Sequence, residues 1–142
     1  MSTATIPSHQ VEWAILAEGA SNDHRGLLSI TRVIRVLGVP KFPHNQTAVV
    51  VFAVSGMPHS QFSYGFQLVR PDLTGSKVLP AIHRQSIGQH GVSVMIQELP
   101  LPVSGPGLYQ IGVFLNDGST PAAVARVHFV LDAPVPASTT HH

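Results

Sequence analysis

Histidine is the residue type in this chain with the most chemistry to offer. Nine occur, against seven acidic residues and no cysteine. A neutral imidazole binds transition metals and titrates near neutrality. Six of the seven histidines that precede the C-terminal segment fall in or near connections, or in the weakly patterned stretch Val78 to Ile87. They are His9, His24, His44, His59, His83 and His90. No H-x-H, H-x-x-x-H or H-E-x-x-H spacing occurs, so no ready metal motif is written locally. The acids are equally scattered. Asp23, Asp72, Asp117 and Asp132 lie in turns or at a strand end, where a short carboxylate bonds nearby backbone. Glu12 and Glu98 fall within strands and Glu18 ends one. Nucleophilic catalysis has no visible home: there is no thiol and no Gly-x-Ser-x-Gly elbow.

Those side chains can act together only if the elements between them bring them together. Alternation with a period of two dominates the chain. The clearest case is the closing hairpin, Leu108 to Leu131. Tyr109, Ile111, Val113 and Leu115 alternate with Leu108, Gln110, Gly112 and Phe114. After the break at Asn116-Asp117-Gly118, Ala125, Val127, Phe129 and Leu131 alternate with Arg126, His128 and Val130. Asp-Gly between two such runs marks a turn. Phe62 to Val69 alternates as cleanly. Val11 to Ala17 reads as the first strand, with Val11, Trp13 and Ile15 on one face and Trp13, the only tryptophan, as a core anchor. Leu27 to Leu37 reads as one strand, which would place Arg32 and Arg35 on opposite faces. One of them must then reach solvent at an edge or bulge, or find a partner. Thr47 to Val54 is β-branched and apolar, as a strand covered on both faces requires. Gly91 to Leu99 is a further strand, and Pro100 to Gly107 a rigid turn. Tyr109 after Pro106 fits a tyrosine corner or plain core.

Seven or eight strands, each followed by Gly, Pro, Asn or Asp, and no sustained helical period predict an all-β fold. The expected architecture is an antiparallel β-sandwich, Ig-like or C2-like, with a closed β-barrel as the alternative. Residues 11–131 form its single domain, residues 1–10 a flexible arm and residues 132–142 a disordered tail. The stretch VEWAILAEGASNDHRGLLSITRVIRVLGVPKFP, Val11 to Pro43, resembles the N-terminal signature of a family of uncharacterised bacterial β-sandwich proteins, a domain of unknown function. The shared features are a strand ending in an Ala-Asp/Glu-x-Ala step, a Gly-opened strand with a following Gly, and a Phe-Pro close. The closing Gly-x-Tyr strand is similar too. Glu18 stands where the family usually has Asp. The resemblance implies a sandwich and a bacterial setting, and no activity.

Alternation of direction then groups the loops. If every connection reverses the chain, the loops bearing Asp23 and His24, His59, His90, and Asp117 share one end. That cluster could hold a transition metal or a small ligand. The opposite end would hold His44, Asp72 and the prolines of residues 100–106. Apolar surface offers a different function. Leu108, Phe114 and Val130 face away from the core side of their strands and are either buried by a neighbour or offered to a partner.

Composition narrows the partners. Only 11% of residues are charged, against about 25% in ordinary globular domains, while 44% are hydrophobic. Such a neutral surface suits homo-oligomerisation or docking to a larger protein. The net charge is +1 and no basic stripe exists, which counts against nucleic acid. Met1 to Gln10 carries no signal-peptide pattern, and the longest apolar run, Ala48 to Val54, is too short to span a bilayer. The expectation is therefore a cytoplasmic, cofactor-free and non-catalytic interaction or assembly module, with a ligand- or metal-binding sandwich as the second choice.

Overall fold

The structure, a computed structural model, describes residues 9–25, 27–73, 77–116 and 118–132, and for residues 77–82 the backbone only. Nine strands follow one another among these residues: β1 His9–Asn22, β2 Leu28–Val33, β3 Val36–Val39, β4 His44–Gly56, β5 Gln61–Val69, β6 Lys77–Ser86, β7 Val92–Val103, β8 Gly107–Leu115 and β9 Ala123–Leu131. They form two separately hydrogen-bonded sheets, ordered β2-β1-β4-β7 and β3-β9-β8-β5-β6. One core lies between them. Val50, Phe52 and Leu99 from the first sheet meet Phe66, Ile111 and Phe129 from the second. Phe52 packs edge-on against Tyr64 and Phe66, with ring centroids 5.1 and 5.8 Å away.

The alternating runs became strands as their period requires. The count of seven or eight is corrected to nine, and the reason is local. Leu27 to Leu37 is not one strand. Arg32 adopts a left-handed backbone (φ 51°), and the chain leaves β2 after Val33. Ile34 turns inward and is buried, its N–H bonded to the Leu16 carbonyl at 2.7 Å. The chain then crosses to the other sheet as β3. Both arginines reach solvent at this break, and Arg32 lies 3.7 Å from Glu18. β3 pairs with β9 in parallel, Val36 opposite His128, where an all-antiparallel fold was expected. A left-handed residue ends a regular strand because only a short stretch of backbone tolerates it.

Other boundaries also move. β1 takes in His9 and Gln10 from the expected arm. β6 makes a strand of the weak segment around Pro80. β7 runs through Pro100 and Pro102, because it is the edge of its sheet and a missing N–H costs nothing on the open side. Asp132 is held by a bond from its N–H to the Val39 carbonyl at 2.7 Å. Residues 1–8 and 133–142 of the expected arm and tail lie outside the described residues. Among the described residues no helix is long and apolar enough to cross a membrane.

Candidate functional site

The upper end of the molecule gathers the connections β4–β5, β6–β7 and β8–β9 and the start of β1. Backbone bonds knit it. The Gly56 N–H reaches the Gly91 carbonyl at 3.0 Å, and the His59 N–H reaches Ile87 at 2.8 Å. His59 and His90 are both here and both exposed. Asp23 and His24 are not. They cap β1 at the lower end, level with the start of β4. The break at Ile34–Arg35 adds one reversal that a continuous Leu27–Leu37 strand lacks, and each reversal switches ends. The predicted cluster of His24, His59, His90 and Asp23 is thus divided between the two ends. Its fifth member, Asp117, lies outside the described residues. Asp23 is occupied in its own turn, where Oδ1 accepts the N–H of Arg25 (2.8 Å) and of Leu27 (2.9 Å). Among the described residues no three His, Asp or Glu side chains gather closely enough to hold one ion.

The upper end does hold a polar relay that spacing could not announce. The Ser60 hydroxyl donates to the Met57 carbonyl at 2.6 Å. The same oxygen lies 2.9 Å from His9 Nε2 and so accepts its N–H. His9 Nδ1 in turn accepts from Asn116 Nδ2 at 2.9 Å. The amide orientation is fixed because Asn116 Oδ1 accepts the Ser63 N–H at 3.0 Å. A serine, a histidine and an asparagine in contact suggest nucleophilic catalysis, but the proton runs the wrong way. An activating base must accept from the serine, whereas His9 donates to it. The chemistry is that of a clasp. It fastens the first strand to the β8–β9 turn, 107 residues away in sequence, with Phe62 beneath the imidazole at 5.5 Å.

A second anchor sits at the lower end. Tyr109 is buried, with its ring edge-on to Phe129 at 5.3 Å. Its hydroxyl donates to the Gly105 carbonyl (2.8 Å) and accepts from the N–H groups of Ser104 (3.1 Å) and Gly105 (3.2 Å). The two readings offered for Tyr109 both hold: core ring and tyrosine corner. Gly107 completes the corner with φ 133°, and a Cβ there would meet Pro71 at 2.7 Å.

Two outer faces remain as surfaces. On the second sheet, Leu108 and Val130 are exposed at 39% and 37%. They flank His128, which pairs with Leu108 across the ladder. Phe114 is half-buried, its ring 3.1 Å from where a Gly112 Cβ would stand. Gln110 and Arg126, paired in the next row, separate Phe114 from the other two. This face is mixed rather than apolar. Leu108 also lines a shallow groove of about 310 Å³ that runs beside Leu16, Ile34, Arg35 and Arg126.

The first sheet differs. A bulge at Glu12 shifts the register of β1 against β4, so Val11 faces Val54 while Trp13 faces Ala53. Val11, Ala14 and Leu16 then point to the core. Trp13, Ile15 and Ala17 point outward. One extra residue inverts the face of a strand because side chains alternate. Trp13, expected as a core anchor, is 39% exposed. It heads a row with Ala53 and Val94; Ile15, Val51 and Ile96 form the next, and Ala17, Val49 and Glu98 the third, with Val33 beside Ala17. Ala17, Val49, Val51 and Ala53 on this side are nonetheless buried. They form a low floor between the taller side chains of β1 and β7. The uninterrupted run Ala48 to Val54 was the sequence signal for this face. It implied burial on both faces, and every residue from Ala48 to Val54 is buried.

No known family's pattern matches the sequence, and no curated protein resembles it closely enough to count. Among solved structures the chain is similar to part of the Pseudomonas fluorescens alkylpurine DNA glycosylase AlkC bound to DNA containing an abasic site analog. The TM-score is 0.55 at 11% identity over 86% of this chain. The match spans only 30% of that protein's length. Likeness at this identity is one of fold: a two-sheet β domain that also occurs within a larger chain.

Proposed function

We propose that the chain is a non-catalytic interaction or assembly module, and that its working surface is the outer face of the sheet β2-β1-β4-β7. One observation carries this reading: three consecutive rows of that face, headed by the exposed Trp13, contain a single charge, Glu98, at their rim. Interface cores are depleted in charge and enriched in aromatic side chains. Solvated outer faces of antiparallel sheets ordinarily alternate to polar residues. A protein partner fits better than nucleic acid, because the three rows hold no Lys or Arg to neutralise phosphate. The AlkC likeness supports no more than a domain of this shape occurring within a longer chain.

An Ig-like arrangement belongs to the same proposal. The run β1-β4-β7 against β9-β8-β5, with β3 closing in parallel on β9, and the corner at Tyr109 support it. Membership of the bacterial family that Val11 to Pro43 resembles and a cytoplasmic setting are further parts of the proposal.

A photo-crosslinking residue placed at Ile96, and as control at Gln67 on the other outer face, tests the surface in cells of the native host. Adducts from position 96 that disappear when Ile15→Lys is added are expected. Equal yields from both positions, or none from either, would refute the choice of face.

A further inference from the structure

The geometry points to a binding site for the C-terminal end of a partner polypeptide at the corner between β1 and β9. The partner's last residues add to β9 as a short parallel strand, and their terminal carboxylate lies between Arg35 and Arg126. This corner is separate from the outer face described above, so each can fail without the other.

The backbone supports it first. β9 runs from the upper end to the lower, and β3 covers only its last part, from Val36 opposite His128 to Val39 opposite Leu131. The His128 N–H bonds the Arg35 carbonyl at 2.8 Å, and the Asp132 N–H bonds the Val39 carbonyl at 2.7 Å. Successive residues of a strand turn their polar groups to opposite sides, so the even-numbered residues of β9 face this edge. Arg126 and Val124 come next in that series, above the start of β3. Among the described residues no strand pairs with them on that side. Across the corner, β1 is paired with β2 only from Ala17 downward. The upper part of this corner is thus an edge that offers hydrogen bonds to an added strand.

The ends of the slot and its charge then identify the occupant. The chain crosses the slot at Ile34 and Arg35, where the Ile34 N–H is already bonded to Leu16. A strand laid in line with β3 stops there, which suits a chain terminus better than a loop that must run on. Arg35 and Arg126 are exposed, and both line the groove of about 310 Å³ at this point, while no acid lines it. A terminal ammonium would be repelled by the two guanidinium groups, and a terminal carboxylate is bound by them. With its carboxylate at the closed lower end, the added strand runs parallel to β9, as β3 does.

Register follows from β3. Its pattern continued upward gives the last residue's N–H to the Val124 carbonyl and the terminal carboxylate to the Arg126 N–H. The Val124 N–H then meets the carbonyl two residues earlier. The last side chain falls on the same side as Ala125, in the groove beside Leu16 and Ile34. The third from last falls on the side of Ala123, where a second hollow of about 400 Å³ is lined by Val11, Leu115 and Ala122. Both positions call for apolar side chains, and the residue between them faces solvent. In strand addition, main-chain bonds give affinity and alternate pockets give selectivity.

The test is fluorescence polarisation of the full chain with a pool of tagged hexapeptides that end in a free carboxylate. Valine, leucine or isoleucine fills their last and third-from-last positions. Saturable binding is expected, and it should weaken at least about ten-fold when the same peptides end in an amide. Arg35→Gln combined with Arg126→Gln, checked for fold by circular dichroism, is expected to cost about as much. Arg84→Gln, in a different surface hollow beside Gln61 and Asn116, is expected to leave binding unchanged. A measurement on the unaltered chain covers the case in which the double variant does not fold. Saturating peptide is expected to slow hydrogen exchange at the amides of Val124 and Arg126 and to leave that of Gly65 unchanged. No binding at about 1 mM peptide overturns the proposal, as does binding indifferent to the amide or to the two arginines. A tagged single-stranded oligonucleotide that binds through these arginines where the peptides do not would assign them to phosphate, and would overturn it too.

Discussion

The side chains that do most for this fold act through single atoms. The Tyr109 hydroxyl serves three backbone groups of one tight turn, one as donor and two as acceptor. Net, each such bond is worth about 1 kcal/mol, and more when its loss strands a partner. Tyr109→Phe keeps the ring against Phe129 and removes all three. The expected cost is about 1–2 kcal/mol, because water can reach the exposed Ser104 and replace part of the loss. Urea denaturation with an unchanged slope is the measurement. His9 shows the same economy in another role. Its two ring nitrogens face a donor and an acceptor, which sets the proton on Nε2 and makes the contact structural. The sequence shows that Tyr109 follows a Pro-Gly turn and that His9 precedes a strand. It cannot show that His9 meets Asn116, because 107 residues separate them and only the packing of the two sheets closes that distance.

Elements were the most legible level, and their failures share one cause. Strands with a strict period of two, such as Phe62 to Val69 and Tyr109 to Leu115, lie with the expected faces in the core. A reading that assumes regular strands fails wherever one residue departs from regularity. The bulge at Glu12 turned Trp13 outward. The left-handed Arg32 ended β2, sent Ile34 inward and moved Asp23 and His24 to the other end of the molecule. Ile34 is the plug that fixes this crossing. Ile34→Ala is therefore expected to cost about 2–4 kcal/mol, the range for emptying a well-packed apolar site. It should also raise hydrogen exchange selectively at Val36 to Val39, whose pairing with β9 depends on where the crossing begins. Equal loosening of β5 and β8 would argue against that local role.

At the scale of the whole molecule, stability should depend on alkaline pH through one core group. Burial pushes the Tyr64 phenol above its ordinary value. Below about pH 10 the phenol is protonated in both the folded and unfolded states and the full stability is present. As pH rises beyond that, the unfolded chain releases its proton while the folded chain keeps it. Stability falls until the folded phenol ionises as well. Tyr64→Phe, which also gives up the long 3.3 Å bond to Gln97, is expected to flatten this decline in urea midpoints measured against pH. An identical decline in the variant would assign the alkaline sensitivity elsewhere.

The sequence by itself determined that the chain is all-β, where most strands lie, and that its charge is sparse. Those properties are local or compositional: a period of two, a turn residue or a count survives without knowledge of the partner strand. Tertiary structure decided which face each strand shows and which loops share an end. These depend on the parity of reversals and on register. A single bulge or break inverts everything downstream of it, so Trp13 could be read as core anchor from its neighbours and yet stand on the surface.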